Sequence, residues 1–574
     1  MNPAHGPEIS TNEVELDRAV AELSDHARAF ARMPAREKAA LVRQLIPLFE
    51  STANEQVAQA CIAKGIDPVR PIAGEEWLAG PFVTLTQLRL LAGALDGVAA
   101  RGRPAIPALH LRPDGRVEAR IYPLHWLDGA LFAGSQATVL FTEGTSPADV
   151  APAQASFYQR ADPEGVVSLV LGAGNVASIA PTDVLHKLFV EGKVVLLKMS
   201  PVNAYLGPLL ERAFAPLVER GLFRIVYGGA DVGSYLAMHP GIGDVHITGS
   251  AETHDRIVWG PRGEEHDRRK VAGEPLLAKP ITSELGNVSP ILVVPFLYAY
   301  DELWFLARSV ATQVVNNASF NCNAAKMLVL ARDWPQRDVF FGLLERALSS
   351  APPRRAYYPG AFARYERLTA GRRDLFVAPM DSGSGDECIP WTILRRLDSK
   401  NELEPLFTME AFCGLISEVS LESSGPIEFL KVATTFCNER LWGTLNCAIS
   451  CHPMLEEDPA FSAALEQAIL DLRYGAVAVN HWPAMIYALG APPWGGHPSG
   501  TLADVQSGMG FVHNSQMLGR VEKSVVRGPL SSFIKPPVFY DNSKMADLGR
   551  KLTAYAATPT VGRALGILWS ALRG

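Results

Sequence analysis

A chain of 574 residues is too long for a single hydrophobic core, so two or three domains are expected. Hydrophobic residues at 48%, charged residues at 20% and a net charge of −7 describe a globular protein, and the lack of any basic run longer than Arg268-Arg269-Lys270 argues against a nucleic-acid partner. The N-terminus has no basic segment leading into an apolar one, and no run of about 18 apolar residues stands out, so neither a secretory leader nor a membrane span is expected.

The first elements in chain order are amphipathic helices. Residues 12–62 space apolar side chains by three and four, and residues 80–100 continue the pattern. From about 116 the period becomes two, in RVEARIY and ATVLFTEG, which predicts a hairpin reaching away from the main body. Between 165 and 250 apolar strands (GVVSLVLG, KVVLLKM, FRIVYGG, DVHITGS) alternate with helices, the pattern of a parallel sheet covered on both faces. The polar stretch 260–278 reads as a surface loop. A second alternating set runs from 281 to about 505, and a tail after 528 ends in a short basic amphipathic helix. Seven cysteines, an odd number thinly spread, fit a reducing cytoplasm better than a disulfide framework.

One motif invites a direct reading. Residues 172–177, GAGNVA, follow a strand and precede a helix, and Glu191 lies about 20 residues beyond Gly172. Pyrophosphate resting on a helix N-terminus and a plain glycine-bearing turn explain these six residues equally well.

The later chain weighs on that choice. After Asn175 and Lys198 come Thr248-Gly249-Ser250, then Glu284-Leu285-Gly286, Cys322 within NNASFNCNAAK, Glu410-Ala411-Phe412, and Pro493-Trp494-Gly495-Gly496 with Ser499-Gly500. In this order and spacing they resemble the aldehyde dehydrogenase superfamily over roughly residues 15–525. The resemblance implies an α/β fold with two parallel-sheet Rossmann-type domains and a β-hairpin oligomerisation element. Residues 1–115 and 164–283 would bind NAD or NADP, 116–163 and 505–528 would be oligomerisation strands, 284–504 would carry the nucleophile, and 529–574 would be an added tail.

The resemblance also implies roles. Cys322 would add to an aldehyde as thiolate, and Asn175 and a backbone N–H would hold the oxyanion, each donor worth about 2.7–4 kcal/mol. Glu284 would activate water against the thioester. Lys198 and Glu410 would bind the cofactor's riboses, and Ser250 and the helix it opens would receive the pyrophosphate. Gly229 and Gly233 would let the backbone pass close to the cofactor, and Thr248, Gly249, Leu285 and Phe412 would complete the cofactor site. On this reading GAGNVA faces the reacting centre. Phe320 and the aromatic region at Trp304 and Phe305 are candidates for the substrate side. The expected partner is a small aldehyde, with a homodimer or homotetramer formed by sheet extension.

Other cysteines read as buried small hydrophobes, including Cys61, Cys388, Cys413 and Cys437. Cys447 and Cys451 before His452 lack the haem spacing, and their alternation fits a strand, so no metal is expected. The chain departs from the family pattern at Asn287, which replaces a glycine and would tolerate a left-handed backbone, and at Pro201, where a ribose-binding acid is common. Without that carboxylate both NAD and NADP stay open. A CoA-acylating aldehyde dehydrogenase or acyl-CoA reductase is the alternative, against which Glu284 argues. The tail helix, with Trp569 among leucines and arginines at both ends, suits either weak membrane-surface contact or docking on its own domain or a neighbouring subunit.

Overall fold

The computed structural model describes residues 10–124, 126–380 and 385–574. The N-terminal nine residues, read above for a leader, lie outside the described residues. Helices Glu13–Arg32 and Ala35–Lys64 open the chain, the first capped by the Asn12 side chain and the second stopped by Gly65 in the left-handed conformation.

Strands follow in chain order. β1 (Ala108–Leu111), β2 (Val117–Tyr122) and β3 (Gln136–Phe141) precede the parallel series β4 (Val167–Leu171), β5 (Val194–Lys198), β6 (Phe223–Val226), β7 (Asp244–Gly249) and β8 (Ile281–Leu285). Then come β9 (Pro290–Val293), β10 (Met327–Ala331), β11 (Leu375–Val377), β12 (Thr392–Leu397), β13 (Leu415–Leu421), β14 (Asn446–Ser450) and β15 (Ala476–Val479). The short pair β16 (Pro493–Trp494) and β17 (Val512–His513) and the long strand β18 (Val521–Arg527) close the series.

These strands make two principal sheets. A five-stranded sheet has the order β6-β5-β4-β7-β8, with every pairing parallel. An eleven-stranded mixed sheet has the order β1-β2-β3-β18-β15-β14-β9-β10-β13-β12-β11. The near-continuous apolar strands β4 and β5 are buried at every position, as a sheet covered on both faces requires. The α/β architecture expected from the sequence is therefore present.

Two expectations need correction, and a third needs a physical reason. The β2–β3 hairpin does not reach away from the body: β18 pairs antiparallel with β3 and parallel with β15, which welds the hairpin into the chain's own large sheet. The stretch read as a loop at 260–278 contains the helix Glu264–Ala272. Its sequence has no apolar stripe to betray it. Instead it is held by acids in its first turn, Arg268 and Arg269 paired with Glu265, and a left-handed Gly273 at its end. Finally, the helical run Pro71–Arg101 is long and apolar enough to cross a membrane by composition, yet 67% of its apolar window is buried inside the fold, the mark of a core helix.

The tail forms two helices, Met545–Ala557 and Val561–Ala571, interrupted at Pro559. Leu548, Leu552, Tyr555, Ala564, Ile567 and Ala571 form a buried cluster of their own, so the tail docks on its own chain, and Val561, Leu565 and Trp569 face outward.

Lys38 offers a stability test. Its ammonium is fully buried without a hydrogen-bond partner among the described residues, 4.6 Å from the ring centres of Phe30 and of Phe157. Burial lowers it from its ordinary 10.5 to about 7. The folded value lies below the unfolded one, so the buried charge is destabilising below pH 7 and the penalty fades as pH rises from 7 towards 10.5. Cation–π contact offsets part of this, leaving about 1–2 kcal/mol. Lys38→Met should raise the melting temperature at pH 6 and gain little at pH 10; a lower melting temperature at pH 6 would mean that the rings outweigh burial.

Candidate active site

The candidate nucleophile stands at the end of a strained turn. Helix Tyr300–Val315 runs out into Asn317, Ala318 and Ser319, which hold φ of 51°, 54° and 69° without a glycine among them. Left-handed non-glycine residues cost about 1–3 kcal/mol each, so the turn must be held from outside. Side chains do this carbonyl by carbonyl. Phe320 O accepts from Asn175 Nδ2 at 2.9 Å and Asn317 Nδ2 at 3.0 Å. Cys322 O accepts from Ser289 Oγ at 3.0 Å and Asn446 Nδ2 at 3.2 Å. Lys326 Nζ donates to Asn321 O and Ala324 O at 2.9 and 3.0 Å, and Trp482 Nε1 to Asn323 O at 2.7 Å. Every carbonyl from 320 to 324 thus receives a side-chain donor.

Around the Cys322 thiol stand two acids and one base. Glu284, near the end of β8, is 2% exposed, and both its oxygens lack a hydrogen-bond partner among the described residues. Burial, with the charge of Asp183 beside it, raises its carboxyl from 4.5 to about 7, while the Trp494 indole and the Cys322 thiol favour its ionised form. Glu410 is raised by burial and opposed by its ion pair with Lys326 at 3.0 Å. Enclosure and the two carboxylates push the Cys322 thiol well above its ordinary value, against the pull of Lys326. The thiol is therefore protonated at rest, and the acid that faces it titrates near neutrality, as a general base requires.

The remaining predicted residues sort by sheet. Lys198, Gly229, Gly249 with Ser250, and Leu285 all lie at or just beyond the carboxyl ends of β5, β6, β7 and β8, and Asn175 follows β4. Cys322, Glu410 and Phe412 precede β10 and β13, on the amino side of the large sheet, and β8 leads directly into β9. The site therefore forms where the carboxyl edge of one sheet meets the amino edge of the other, the crevice in which open α/β sheets bind ligands.

Residues 130–350 match the profile of the aldehyde dehydrogenase family. This stretch carries an aldehyde dehydrogenase family domain, and the chain as a whole has the fold of aldehyde dehydrogenases. Its fold is similar to the NAD-dependent aldehyde dehydrogenase from Sinorhizobium meliloti at 17% identity and a TM-score of 0.59, covering 92% of this chain and 88% of that one. It is also similar to a Mycobacterium tuberculosis aldehyde dehydrogenase complexed with NAD+, at 16% identity and 0.59, covering 92% of each chain. A proline utilization A mutant from Bradyrhizobium japonicum matches at 18% identity and 0.58, over 91% of this chain but 46% of that one.

Within this aldehyde dehydrogenase fold several sequence-derived assignments are refined. Glu191 is ion-paired with Lys187 and Lys193, so it is not a nucleotide ligand of the GAGNVA turn. The Asn175 amide, expected at the oxyanion, donates in this state to Phe320 O. Thr248 Oγ1 donates to the buried Asp183 at 2.8 Å, and Leu285 is 1% exposed, so both face the interior. Glu410 fills the notch left by Gly286, where a Cβ would lie 1.7 Å from its Oε2. Asn287 does not use a left-handed backbone: its side chain instead receives Ser289 Oγ and Asn446 Nδ2, the two donors that also hold Cys322 O. Phe320, expected beside the substrate, is 1% exposed and packs against Tyr357, Tyr358 and Phe412, which itself has φ of 43°. Phe305 packs on Phe539 of the tail and Trp304 under Arg346.

Lys326, Ser289 and Asn446 were missed as site residues by sequence reasoning, and Trp494 was read only as part of a motif, without a role. Lys326 carries a local signal, a lysine four residues beyond the cysteine at the mouth of an apolar strand; Ser289 and Asn446 converge from distant segments.

Proposed function

We propose that the chain oxidises an aldehyde to a carboxylic acid with NAD+ or NADP+. The observation that carries the reading is the meeting of the Cys322 thiol with Glu284, an acid poised near neutrality. On attack, Glu284 takes the thiol proton as sulfur adds to the aldehyde carbon. Asn175 and the Cys322 N–H stabilise the resulting oxyanion, and its collapse releases hydride. A bound dinucleotide supplies the hydride acceptor. Once Glu284 has passed the thiol proton to solvent it removes a proton from water; hydroxide attack on the thioester expels the Cys322 thiolate and frees the acid, and Glu284 returns the proton to the sulfur.

The residues fit such a dinucleotide. Ser250 caps the exposed N-terminus of helix Ala251–Trp259, with its Oγ accepting from Thr253 N, a setting suited to pyrophosphate. The space over Gly233 is open, the nearest atom to a Cβ there being Leu171 Cδ2 at 3.7 Å. Gly229 opens helix Ala230–Met238, and Lys198 and Glu410 would hold the riboses. On this reading residues 1–115 and 164–283 hold the cofactor and 284–504 carry the nucleophile.

Seven unpaired cysteines support a reducing cytoplasm. The edge strand β1, with Leu109 and Leu111 exposed, supports assembly into a homo-oligomer by strand pairing; a light-scattering mass of one chain would refute that. The activity is tested by offering a panel of aldehydes with NAD+ or NADP+, with and without CoA. Reduced cofactor without CoA is expected. Strict dependence on CoA would instead make the enzyme acylating, and no reduction in any pairing would refute both.

A further inference from the structure

The N-terminal segment reaches the nucleophile turn through charges that the mechanism does not use, and the C-terminal tail packs behind them. Lys64, the last residue of helix Ala35–Lys64, is 5% exposed. Its Nζ donates to both oxygens of Glu76 at 2.9 Å, to Asn175 O at 3.1 Å and to Asn317 Oδ1 at 2.9 Å. Neighbouring Glu75 accepts from Asn317 N at 3.0 Å and from Arg354 Nη1 at 2.7 Å. Tyr357 closes the ring, its hydroxyl 3.0 Å from Asn175 O and 2.9 Å from Asn317 Oδ1. Both ion pairs are buried, with Glu75 and Glu76 each 3% exposed and Arg354 7%. Burying two ion pairs brings little net stability, so stability alone does not account for them. What they hold is specific. Asn317 opens the left-handed run, and Asn175 carries the amide that donates to Phe320 O.

The acids sit in the first turns of the helical run Pro71–Arg101, just before its wider turn at Leu78–Phe82. Helix Met545–Ala557 of the tail backs it at glycine distance. A Cβ on Gly74 would lie 2.3 Å from the Met545 carbonyl carbon, and one on Gly549 would lie 2.6 Å from Trp77 Cβ. The contacts run from the tail to Gly74 and Trp77, which flank Glu75 and Glu76, then to Asn317 and through Phe320 O and Asn321 Oδ1 into the turn that carries Cys322.

We propose that Lys64, Glu75 and Glu76, backed by the tail helix Met545–Ala557, are positioning residues that set the geometry of the Cys322 turn. The proposal rests on Cys322 being the nucleophile. It gives the tail a role in catalysis without contact with substrate.

The test uses the full-length chain and reads the rate of Cys322 alkylation by iodoacetamide against pH, together with kcat and KM. Glu76→Gln is expected to lower kcat at least tenfold, leave the KM for the dinucleotide within twofold, and displace the alkylation profile. Lys64→Met should behave alike, and Lys64→Arg should recover part of the loss. A folded Glu76→Gln protein with wild-type kcat and alkylation profile overturns the proposal. If that variant does not fold, Tyr357→Phe, which removes only one hydroxyl from the ring, gives the same readout, and an unchanged profile there overturns it equally. The Cys322→Ser control separates the two readings: full activity in that variant sinks the nucleophile assignment itself.

Discussion

Cys322→Ser abolishes aldehyde-dependent cofactor reduction, with an expected loss of at least about a thousandfold in kcat. The serine hydroxyl is far less acidic than the thiol, and a Glu284 carboxylate titrating near 7 is too weak a base to ionise it. The substitution leaves the turn intact, because the bonds from Ser289 and Asn446 are made to the backbone carbonyl of residue 322. The loss is therefore chemical, and unchanged thermal unfolding beside it would show this. Full activity in the serine variant would remove the thioester mechanism.

Glu284→Gln produces two effects of opposite sign. The base is lost, so ionisation of the Cys322 thiol and hydrolysis of the thioester both slow, by about 10²–10⁴-fold, and reduced cofactor no longer forms rapidly in the first turnover. Stability moves the other way. The folded carboxyl titrates near 7, above its ordinary 4.5, so between these values the native state binds the extra proton. Wild-type stability consequently falls as pH rises from 4.5 through 7, because a buried charge with no hydrogen-bond partner among the described residues is created. The neutral amide escapes that cost. Glu284→Gln should be more stable than wild type at pH 8, by on the order of 3 kcal/mol in unfolding free energy, and show no gain at pH 4.5. In wild type the hydrolytic step should rise with pH through about 7 and level off above it. A glutamine variant that keeps wild-type turnover, or a pH-independent wild-type rate, would count against Glu284 as the base. The gain in stability with loss of turnover is the trade expected of a strained, functional acid.

Much of the architecture was legible in local pattern. The apolar strands and helix periods of residues 165–250 place β4 to β7 where they stand, because burial on both faces demands unbroken runs of Val, Leu and Ile. Helix Glu264–Ala272 was not legible, since its stability comes from ion pairs and caps that leave no apolar stripe. The self-pairing of the hairpin was not legible either. Alternation shows that β3 is a strand with one buried face, but the choice of β18 as its neighbour is made by a strand almost four hundred residues away.

The same division holds at the site. Residue types and their order along the chain are properties of the sequence, and they determined the family resemblance and with it the candidate thiol, acid and amide: Cys322, Glu284 and Asn175 stand out by the order and spacing of distant motifs, not by their neighbours. What the acid and thiol are at rest was decided by the tertiary structure. Enclosure without hydrogen-bond partners holds Glu284 near neutrality, Lys326 draws Glu410 inward, and Lys64 and Glu75 reach across from the first helices to a turn that three left-handed residues could not hold unaided. Burial and convergence are properties of packed space, and no linear spacing records them.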